Sequence, residues 1–569
     1  MAVFRSWPAR ILATLPLFLI AALQNGRTAA QSAPYAVTDL GVIGTVQTAE
    51  AHDVNDVGQA VGNSGNKAFL WQNGVMTNLG SLGGTMSVAY AINGAGQIVG
   101  QSSTLNNAAR HAALWDHGAI LDLLPGVAYS RATGINNLRE IVGETGTFAF
   151  LWRNGDVTDL GNLGGVSTYA NDINDAGQIV GASYTKEATP LGPMAHAYVW
   201  QDHVMTDLGI LPGMDDSGAS AINSNGVIVG SSTHTDPDTY EVKSASFIYQ
   251  NGTMTALPVP SWESYAGDIN DSGVVVGSMR APGGVSNYHA YVYKDGVVTN
   301  LNNLIPSGSD LHLAYARAVN NAGQIAGTAF DSRGFYHAFL LTPVPPGTAL
   351  LTIGNASVVE GNSGTKTATF TVTLSPASSQ VVTVSYDTAN ATATSGSDYQ
   401  SAAGTLAFAA GQTTQTISVL VNGDRVGEAT ETFLVNLSQA SGAMIGNGQG
   451  IGTIVDDEPR VSIGSVSKNE GRNGTTPFTF TVTLSAASDG PVSVNFATQD
   501  YGAHAGEDYI AASGSIAFAA GETTKTITVN VRGDRIVEWE EVFYVNLTSA
   551  SGAVISNGRG YGTIRNDDK

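Results

Sequence analysis

The segment Asp172-Ile-Asn-Asp-Ala-Gly-Gln-Ile-Val-Gly181 occurs, with variations, in seven copies within the first three-fifths of this 569-residue chain. The asparagine of each copy marks its position: Asn55, Asn93, Asn136, Asn174, Asn223, Asn270 and Asn320. The copies are spaced by about 40 to 50 residues, a period that is typical of solenoids and propellers.

Each copy is predicted to form a strand, a tight turn and a second strand. Asn174 to Gly177 suits a type I turn that ends in a left-handed glycine, and Gln178 to Gly181 continues as a strand. The polar side chains partly match a calcium-loop pattern. The fifth position of that pattern is apolar or small in most copies, which removes a ligand, so the pattern favours turn chemistry.

Each repeat between Tyr35 and Leu341 divides into four short strands, the content of one propeller blade. The fourth strand follows repeats one to six, as in Val204-Met-Thr-Asp-Leu208, but repeat seven stops at His337-Ala-Phe-Leu-Leu341. The missing copy, Ala36-Val-Thr-Asp-Leu40, precedes the first turn. This offset predicts that the amino-terminal strand completes the last blade and closes a seven-bladed β-propeller without exposed sheet edges.

The tripeptides His337-Ala-Phe339, His196-Ala-Tyr198 and His289-Ala-Tyr291 give residues 35–342 a resemblance to the bacterial extracellular repeats of the HAF family. The resemblance implies export and no particular chemistry. We expect the histidines at this strand position, including His111, to make hydrogen bonds within blades. The tryptophans that end the same strand are expected to pack between blades: Trp71, Trp115, Trp152 and Trp200.

Composition and the first residues indicate an exported protein. The chain has no cysteine, which excludes disulfides and thiolate metal sites, and its net charge of −22 disfavours nucleic acid as a partner. Residues 1–30 are typical of a secretory signal peptide, with Arg5 and Arg10 near the apolar run from Ile11 to Ala22. A retained amphipathic anchor is the alternative. No later segment is apolar enough to cross a membrane, so we expect a secreted or cell-surface protein.

A proline-rich linker, residues 343–348, precedes two copies of one all-β sandwich, residues 349–458 and 459–569. Each copy shows seven or so alternating strands, as in immunoglobulin-like sandwiches. Its acidic residues fall at strand ends and turns, including Glu360, Asp398, Asp424 and the run Asp456-Asp457-Glu458. If the fold gathers them at one pole, calcium would relieve their repulsion. A solvated acidic rim is the alternative.

Four motifs recur in order in both copies, and the first copy has Val359-Glu-Gly361, Gly396-Ser-Asp-Tyr399, the acidic turn from Asp424 to Phe433, and Gly452-Thr-Ile-Val-Asp-Asp-Glu458. These motifs resemble those of Calx-β domains, and the resemblance implies Ca²⁺ as the bound ion. The family's calcium ligands match Glu360, Asp398, Asp424, Glu428, Glu431, Asp456, Asp457 and Glu458 in the first copy. In the second copy they match Glu470, Asp508, Asp534, Glu538, Glu541, Asn566, Asp567 and Asp568.

Two departures from the family pattern predict weaker binding. Gly423 and Gly533 stand where the family's strongest binders carry a further aspartate, and Asn566 replaces the acid that the first copy keeps as Asp456. We therefore expect the first site to be tighter, with affinities still sufficient in a calcium-rich exterior. Because the acidic run ends directly before Pro459, a bound ion is expected to stiffen the joint between the sandwiches.

The expected function is a calcium-binding adhesion or interaction protein, with a propeller face that recognises a protein or glycan ligand. The alternatives are a structural matrix component and a polysaccharide-active enzyme. A glycosidase needs a paired acid and nucleophile in one cleft, which the repeats do not offer, and we find no nucleophile elbow, phosphate loop or zinc-ligand spacing. The insertions with Asp215-Asp216 and Thr235-Asp-Pro-Asp238 would be the place for such a site. We expect no catalytic residues.

Overall fold

The computed structural model describes residues 34–567 apart from residues 45, 47, 190, 191, 282–287, 307 and 308. The expected signal peptide, residues 1–30, lies outside the described residues. The described part consists of 46 strands and two short 3-10 turns, Leu105–Asn107 and Leu301–Asn303, and contains no α-helix. A search of the same residues finds no helix that is long and apolar enough to span a membrane.

The repeat region begins with β1 (Tyr35–Asp39) and continues as six four-stranded antiparallel sheets. Sheet 1 contains β2 to β5 (Ala49–Val54, Ala60–Ser64, Lys67–Gln72, Val75–Asn78), and sheet 2 contains β6 to β9 (Gly83–Ile92, Ile98–Thr104, Arg110–Asp116, Ala119–Asp122). Sheet 3 contains β10 to β13 (Arg131–Ile135, Ile141–Glu144, Ala149–Arg153, Asp156–Asp159), and sheet 4 contains β14 to β17 (Gly164–Ile173, Ile179–Thr189, Gly192–Gln201, Val204–Gly209). Sheet 5 contains β18 to β21 (Asp216–Ile222, Ile228–Thr235, Val242–Gln250, Thr253–Ala256), and sheet 6 contains β22 to β25 (Ser264–Ile269, Val275–Arg280, Tyr288–Lys294, Val297–Asn300).

The amino-terminal strand provides the fourth strand of sheet 7, which also contains β26 to β28 (His312–Val319, Ile325–Phe330, Tyr336–Pro343). β1 pairs antiparallel with β28, in a register that runs from Tyr35 opposite Pro343 to Asp39 opposite Phe339. A side-chain contact lies beside this pairing, where His337 Nδ1 is 2.7 Å from Asp39 Oδ2. The first and last strands of the repeat region are thus in one sheet.

Asparagine side chains of the repeated turn link each sheet to the next. The Nδ2 of each repeat asparagine donates to the main-chain carbonyl of the next one, at 2.8 to 3.1 Å. The series returns to its start, because Asn320 Nδ2 donates to the carbonyl of Asn55 at 2.8 Å. The Oδ1 of the same side chain holds its own turn, as where Asn174 accepts from Gln178 N at 3.0 Å. One buried side chain per repeat therefore stabilises both its turn and the contact with the neighbouring sheet.

Each carboxyl-terminal domain is a two-sheet sandwich with nine strands rather than the seven or so expected. The first sandwich contains β29 to β37 (Leu350–Ile353, Ala356–Val359, Gly364–Ser375, Val382–Asn390, Ala403–Phe408, Thr414–Gly423, Glu431–Ser441, Met444–Asn447, Gln449–Val455). The second contains β38 to β46 (Arg460–Ile463, Val466–Asn469, Thr475–Leu484, Val492–Asp500, Ser513–Phe518, Thr524–Arg532, Glu541–Ser551, Val554–Asn557, Arg559–Arg565). The sheet orders are β36-β29-β31-β34 with β30-β37-β35-β32-β33, and β43-β40-β38-β45 with β39-β46-β44-β41-β42.

Strict alternation along the longest strands explains the sandwich cores. In β31 every second side chain, from Ala368 to Leu374, is at most 1% exposed, and the residues between them face solvent. Alternation of this kind places one face of a sheet against its partner and leaves the other face polar. The first sandwich also continues the sheet of the repeat region, because Val37 of β1 forms a parallel bridge with Asn447 of β36.

Candidate calcium sites

A stacked aromatic pair in the core of the first sandwich holds two of the expected ligands in position. Tyr399 and Phe433 are at most 1% exposed, and their rings stack 4.5 Å apart. Asp398 directly precedes Tyr399, and Glu431 begins β35 two residues before Phe433. The Gly-Ser-Asp-Tyr motif therefore buries its tyrosine in order to hold the neighbouring aspartate at the end of the sandwich.

Six of the eight expected ligands of the first sandwich form two groups of three. One group is Glu360, Asp457 and Glu458, and the other is Asp398, Glu428 and Glu431; in each group one carboxylate oxygen per residue lies within 4.8 Å of the others. Calcium binds oxygen at about 2.3 to 2.6 Å, so ligands on opposite sides of one ion are about 4.6 to 5.2 Å apart. The spacing within each group therefore fits a shared calcium ion.

The other two expected ligands, Asp424 and Asp456, lie in neither group. Asp424 Oδ1 accepts a hydrogen bond from Val426 N at 2.6 Å, and Asp456 Oδ1 accepts one from Glu428 N at 2.8 Å. Both carboxylates thus hold the acidic turn in shape. Their negative charges also act on the two groups, since Asp424 and Asp456 help to raise the pKa of Glu428.

The aspartates of the first sandwich accept backbone hydrogen bonds, but its glutamates are poorly compensated. Glu458 is only 6% exposed, and its carboxylate lies against another acid, Asp456, rather than a basic residue. Burial, followed by the charge of Asp424, raises the pKa of Glu360 to about 8. Burial raises the pKa of Glu458 to about 7, and burial together with the charge of Asp398 does the same for Glu431.

Within the described part of the chain, none of the eight acids of the first sandwich forms an ion pair with a basic residue. Burying an unpaired charge is costly, and a proton or a cation must offset the cost. The acidic pole of this sandwich is therefore suited to bind a cation.

The second sandwich repeats one of these groups. Asp508, Glu538 and Glu541 have carboxylate oxygens within 4.8 Å of one another. Burial and the charge of Asp508 raise the pKa of Glu538, and they raise that of Glu541 to about 7. Asp508 precedes Tyr509, whose ring stacks on Phe543 at 4.4 Å. This group is built in the same way as its counterpart in the first sandwich.

The remaining expected ligands of the second sandwich make separate local contacts, as Asp424 and Asp457 do in the first. Asp534 Oδ1 accepts from Ile536 N at 2.6 Å, and Asp567 Oδ1 accepts from Gly471 N at 3.2 Å. Asn566 uses its Nδ2 to donate to the carbonyl of Glu538 at 3.0 Å. Glu470 is buried, at 4% exposed, and Asp568 lies outside the described residues.

Backbone packing explains why glycine occupies positions 423 and 533. A Cβ atom on Gly423 would lie 2.1 Å from the carbonyl oxygen of Gly361, and one on Gly533 would lie 2.0 Å from that of Gly471. Both distances are far below contact, so an aspartate at either position would require the backbone to move. The departure from the family pattern is thus part of the local fold.

The acidic turn of the first sandwich also contacts the second sandwich, which sequence analysis did not predict. Arg425 Nη1 lies 3.0 Å from Asp489 Oδ1, and a Cβ atom on Gly427 would lie 2.4 Å from a methyl group of Val554. The one sequence signal is that the second copy has Val537 at the position of Gly427. A small residue there allows the close approach of the two domains.

Three of the four repeat histidines and the acids considered for catalysis make local hydrogen bonds, whereas the buried Nδ1 of His289 has no hydrogen-bond partner among the described residues and its ring lies 4.7 Å from that of His312. The histidine–aspartate distances are 2.7 Å for His111–Asp122, 2.8 Å for His196–Asp207 and 2.7 Å for His337–Asp39. Asp215 Oδ2 lies 2.7 Å from His234 Nδ1, and Asp216 Oδ1 accepts from Ala195 N at 2.6 Å. Asp236 Oδ1 accepts from the backbone N–H of Asp238 at 2.9 Å in a tight turn.

Comparison with protein-family models matches the Calx-beta domain at residues 352–458 and again at residues 455–557. Residues 352–557 contain two Calx-beta domains. The protein is therefore an all-β chain whose sandwiches are Calx-beta domains, as the four motifs predicted.

Other known proteins resemble the Calx-beta part of the chain. The adhesion G-protein coupled receptor V1 of Danio rerio is 28% identical over 201 residues, which are 31% of this chain and 3% of the receptor. The crystal structure of the calcium binding domain CBD12 of CALX1.1 is 22% identical with a TM-score of 0.22, covering 35% of this chain and 79% of that one. The apo-form Calx CBD1 domain is 26% identical with a TM-score of 0.18, covering 20% of this chain and 99% of that one.

Proposed function

We propose that the protein is a calcium-binding interaction protein of the cell exterior. In this proposal residues 35–342 form a seven-bladed propeller that carries the recognition face, and the Calx-beta domains form a calcium-stiffened stalk. The observation that carries the calcium part is the pair of carboxylate groups in the first sandwich, whose buried oxygens have no positively charged partner. The role is binding rather than catalysis.

The ligand chemistry favours calcium over other divalent ions. All the ligands are oxygens, whereas zinc sites in proteins are built mainly from cysteine and histidine. Magnesium requires near-octahedral geometry with bonds of about 2.0 to 2.1 Å, and it retains several waters. Six carboxylates in two groups with oxygens up to 4.8 Å apart suit a larger ion with more ligands.

The same acids connect calcium to the joint between the sandwiches. Glu428 belongs to one carboxylate group, and Arg425 and Gly427 of the same turn contact the second sandwich. Glu458, of the other group, directly precedes Pro459 and the second domain. An ion at either group would fix residues on the domain boundary and reduce bending between the two sandwiches.

Two structural observations support the propeller. Seven sheets are joined by a cyclic series of asparagine hydrogen bonds, and β1 completes the sheet of β28. The expected signal peptide and the partial likeness to an adhesion receptor agree with a secreted or cell-surface protein. We propose a protein or glycan of the cell exterior as the partner.

Calcium titration of the full chain tests the calcium part of the proposal. Isothermal calorimetry should show binding that is weakened at the first sandwich by Asp398→Asn and at the second by Asp508→Asn. X-ray scattering should show a narrower distribution of shapes when calcium is bound. Asp387→Asn, an exposed acid outside both groups, is the control and should leave binding unchanged. The proposal fails if calcium produces no heat and no change in scattering.

A further inference from the structure

A β-bulge occurs at the same place in the first strand of all seven sheets of the repeat region. Pairing with the second strand skips the residue three positions before the repeat asparagine. A bulge changes the direction of the side chain that it leaves unpaired. The skipped residues are His52, Tyr90, Thr133, Asn171, Ser220, Gly267 and Arg317.

All seven bulge residues line one cavity of about 390 Å³, here named the axial cavity. Arg131, Tyr265 and Tyr315 also line it. The first strands of all seven sheets therefore surround a single space. Its volume lies near the lower end of the range of about 300 to 1,000 Å³ that is usual for small-molecule sites.

The residue types around the bulge distinguish a position that packing requires from a position that is available for recognition. The residue directly before the bulge is alanine in all seven repeats, and each of these alanines is at most 3% exposed. The bulge itself carries seven different residues in seven repeats. Packing therefore requires one small residue beside the bulge, but it requires no particular residue at the bulge itself. The side chains that face the axial cavity are free to match whatever occupies it.

The wall of the axial cavity combines aromatic rings with hydrogen-bonding groups of both kinds. Arg317 Nη2 lies 3.1 Å from Glu50 Oε2, and its guanidinium lies 5.7 Å from the ring centre of Tyr315. Arg131 Nε lies 2.7 Å from Glu144 Oε1. Each guanidinium is thus next to a carboxylate, so that donors and acceptors stand side by side with little net charge.

Three half-buried aspartates disfavour an anion in this place. Asp53, Asp172 and Asp268 follow bulge residues directly, and each accepts from two backbone N–H groups, one of them in the next sheet. Asp53, for example, accepts from Val54 N at 2.7 Å and from Ile92 N at 2.8 Å. In their ionised form these carboxylates beside the bulges would repel an anionic ligand, and the two arginines likewise disfavour a cation.

We propose that the axial cavity binds a neutral sugar unit of an extracellular glycan. Tyrosine faces suit the apolar face of a pyranose ring, and adjacent donors and acceptors suit vicinal hydroxyl groups. The proposal rests on the proposed function, because it names the ligand class of the propeller. Sugar binding in the axial cavity does not depend on calcium, so the sugar proposal and the calcium proposal can fail independently of each other.

The test uses the full chain and soluble tetrasaccharides as probes, with binding followed by calorimetry. The neutral probes are those of glucose, galactose, mannose and N-acetylglucosamine; those of galacturonate and glucosamine carry negative and positive charge. We expect at least one neutral probe to bind, and Arg317→Ala to weaken it at least tenfold. Ser220→Leu should have a similar effect by filling the cavity without removing an ion pair. Arg333→Ala is the matched control, an arginine in the turn between β27 and β28 that does not line the cavity.

Three results would overturn the proposal: no binding of any neutral probe, binding that both cavity variants leave unchanged, or tighter binding of a charged probe. Melting curves show whether each variant is folded. If Arg317→Ala is not folded, Ser220→Leu still tests the proposal. Glu431→Gln separates the two proposals. It should weaken calcium binding and leave sugar binding unchanged.

Discussion

Replacing Glu458 with glutamine should have opposite effects on stability in the absence and presence of calcium. Glu458 is 6% exposed, its carboxylate lies against that of Asp456 and has no basic partner in the described part of the chain, and burial raises its pKa to about 7. At pH 8 without calcium it is therefore a buried anion beside a second acid. Leaving such a group unsatisfied costs about 1 to 3 kcal/mol or more. Glutamine keeps the shape and removes the charge, so we expect a gain of about 1 kcal/mol, or about 4 °C in Tm for a domain of this size.

With calcium the same carboxylate becomes a ligand, and the expected effect of the substitution on stability changes from a gain to a loss. An ion at one hundred times its Kd stabilises the folded state by about 2.7 kcal/mol. If glutamine weakens binding about a hundredfold, this stabilisation falls to about 0.4 kcal/mol. The loss of about 2.3 kcal/mol exceeds the gain of about 1 kcal/mol, so Glu458→Gln should be about 1 kcal/mol less stable than the parent in calcium.

Scanning calorimetry of the full chain at pH 8 measures the change in Tm that the substitution causes, first in chelator and then in calcium. Glu540→Gln, an exposed glutamate in the corresponding turn of the second sandwich and outside the carboxylate groups, is the control and should change neither Tm. Destabilisation of equal size in both conditions would show that Glu458 has a purely structural role. Stabilisation of equal size in both conditions would show that calcium does not bind at this carboxylate.

The remaining predictions concern pH, fluorescence and closure of the repeat region. The pKa of Glu360 rises from 4.5 to about 8 on folding, so the folded state retains a proton that the unfolded state has released. Without calcium, Tm should therefore fall as pH rises from about 5 to 8, and calcium should reduce this fall; a flat profile without calcium would contradict the raised pKa. Trp539 is 92% exposed beside the acids of the second sandwich, so calcium should change its emission, measured as the difference from Trp539→Phe, and Glu541→Gln should weaken the response. An unchanged emission would indicate that no ion binds there. Asp39→Asn removes the carboxylate charge that helps to raise the pKa of His337, and we expect a loss of about 1 kcal/mol, or about 2 to 4 °C. The loss should be larger at pH 6, where His337 is protonated, than at pH 9; an equal loss at both would argue against the ion pair.

The repeated turn shows what periodicity can and cannot predict. The turn around Asn174 follows from its residue types alone, because asparagine and glycine favour that backbone geometry. The hydrogen bond from Asn174 to the carbonyl of Asn223 does not follow, since it joins residues 49 apart and depends on how two sheets pack. The offset of the fourth strand is a long-range feature that sequence can express, because it changes the order of strands along the chain.

The acidic pole also shows a limit to what can be predicted from the sequence. The resemblance to Calx-beta domains placed Asp398 and Asp424 among the ligands alike, and the structure puts Asp398 in a carboxylate group and Asp424 in a turn hydrogen bond. Both are acids before a turn or strand, and only the buried Tyr399 distinguishes their positions. The bulges were missed for a related reason. A skipped residue is defined by its partner strand, and the alternation around Ala51 looks like an ordinary strand.

The pairing of β1 with β28 has a consequence for synthesis. Asp39 and His337 are separated by 298 residues, so the first strand to leave the ribosome waits for the last strand of the repeat region. At a rate of about 5 to 20 residues per second the wait is about 15 to 60 s. During that time six sheets can form while both ends of the series present unpaired strand edges, which are prone to aggregation. Those edges stay unpaired until residue 343 has emerged, so we expect the yield to rise when chaperones are supplied.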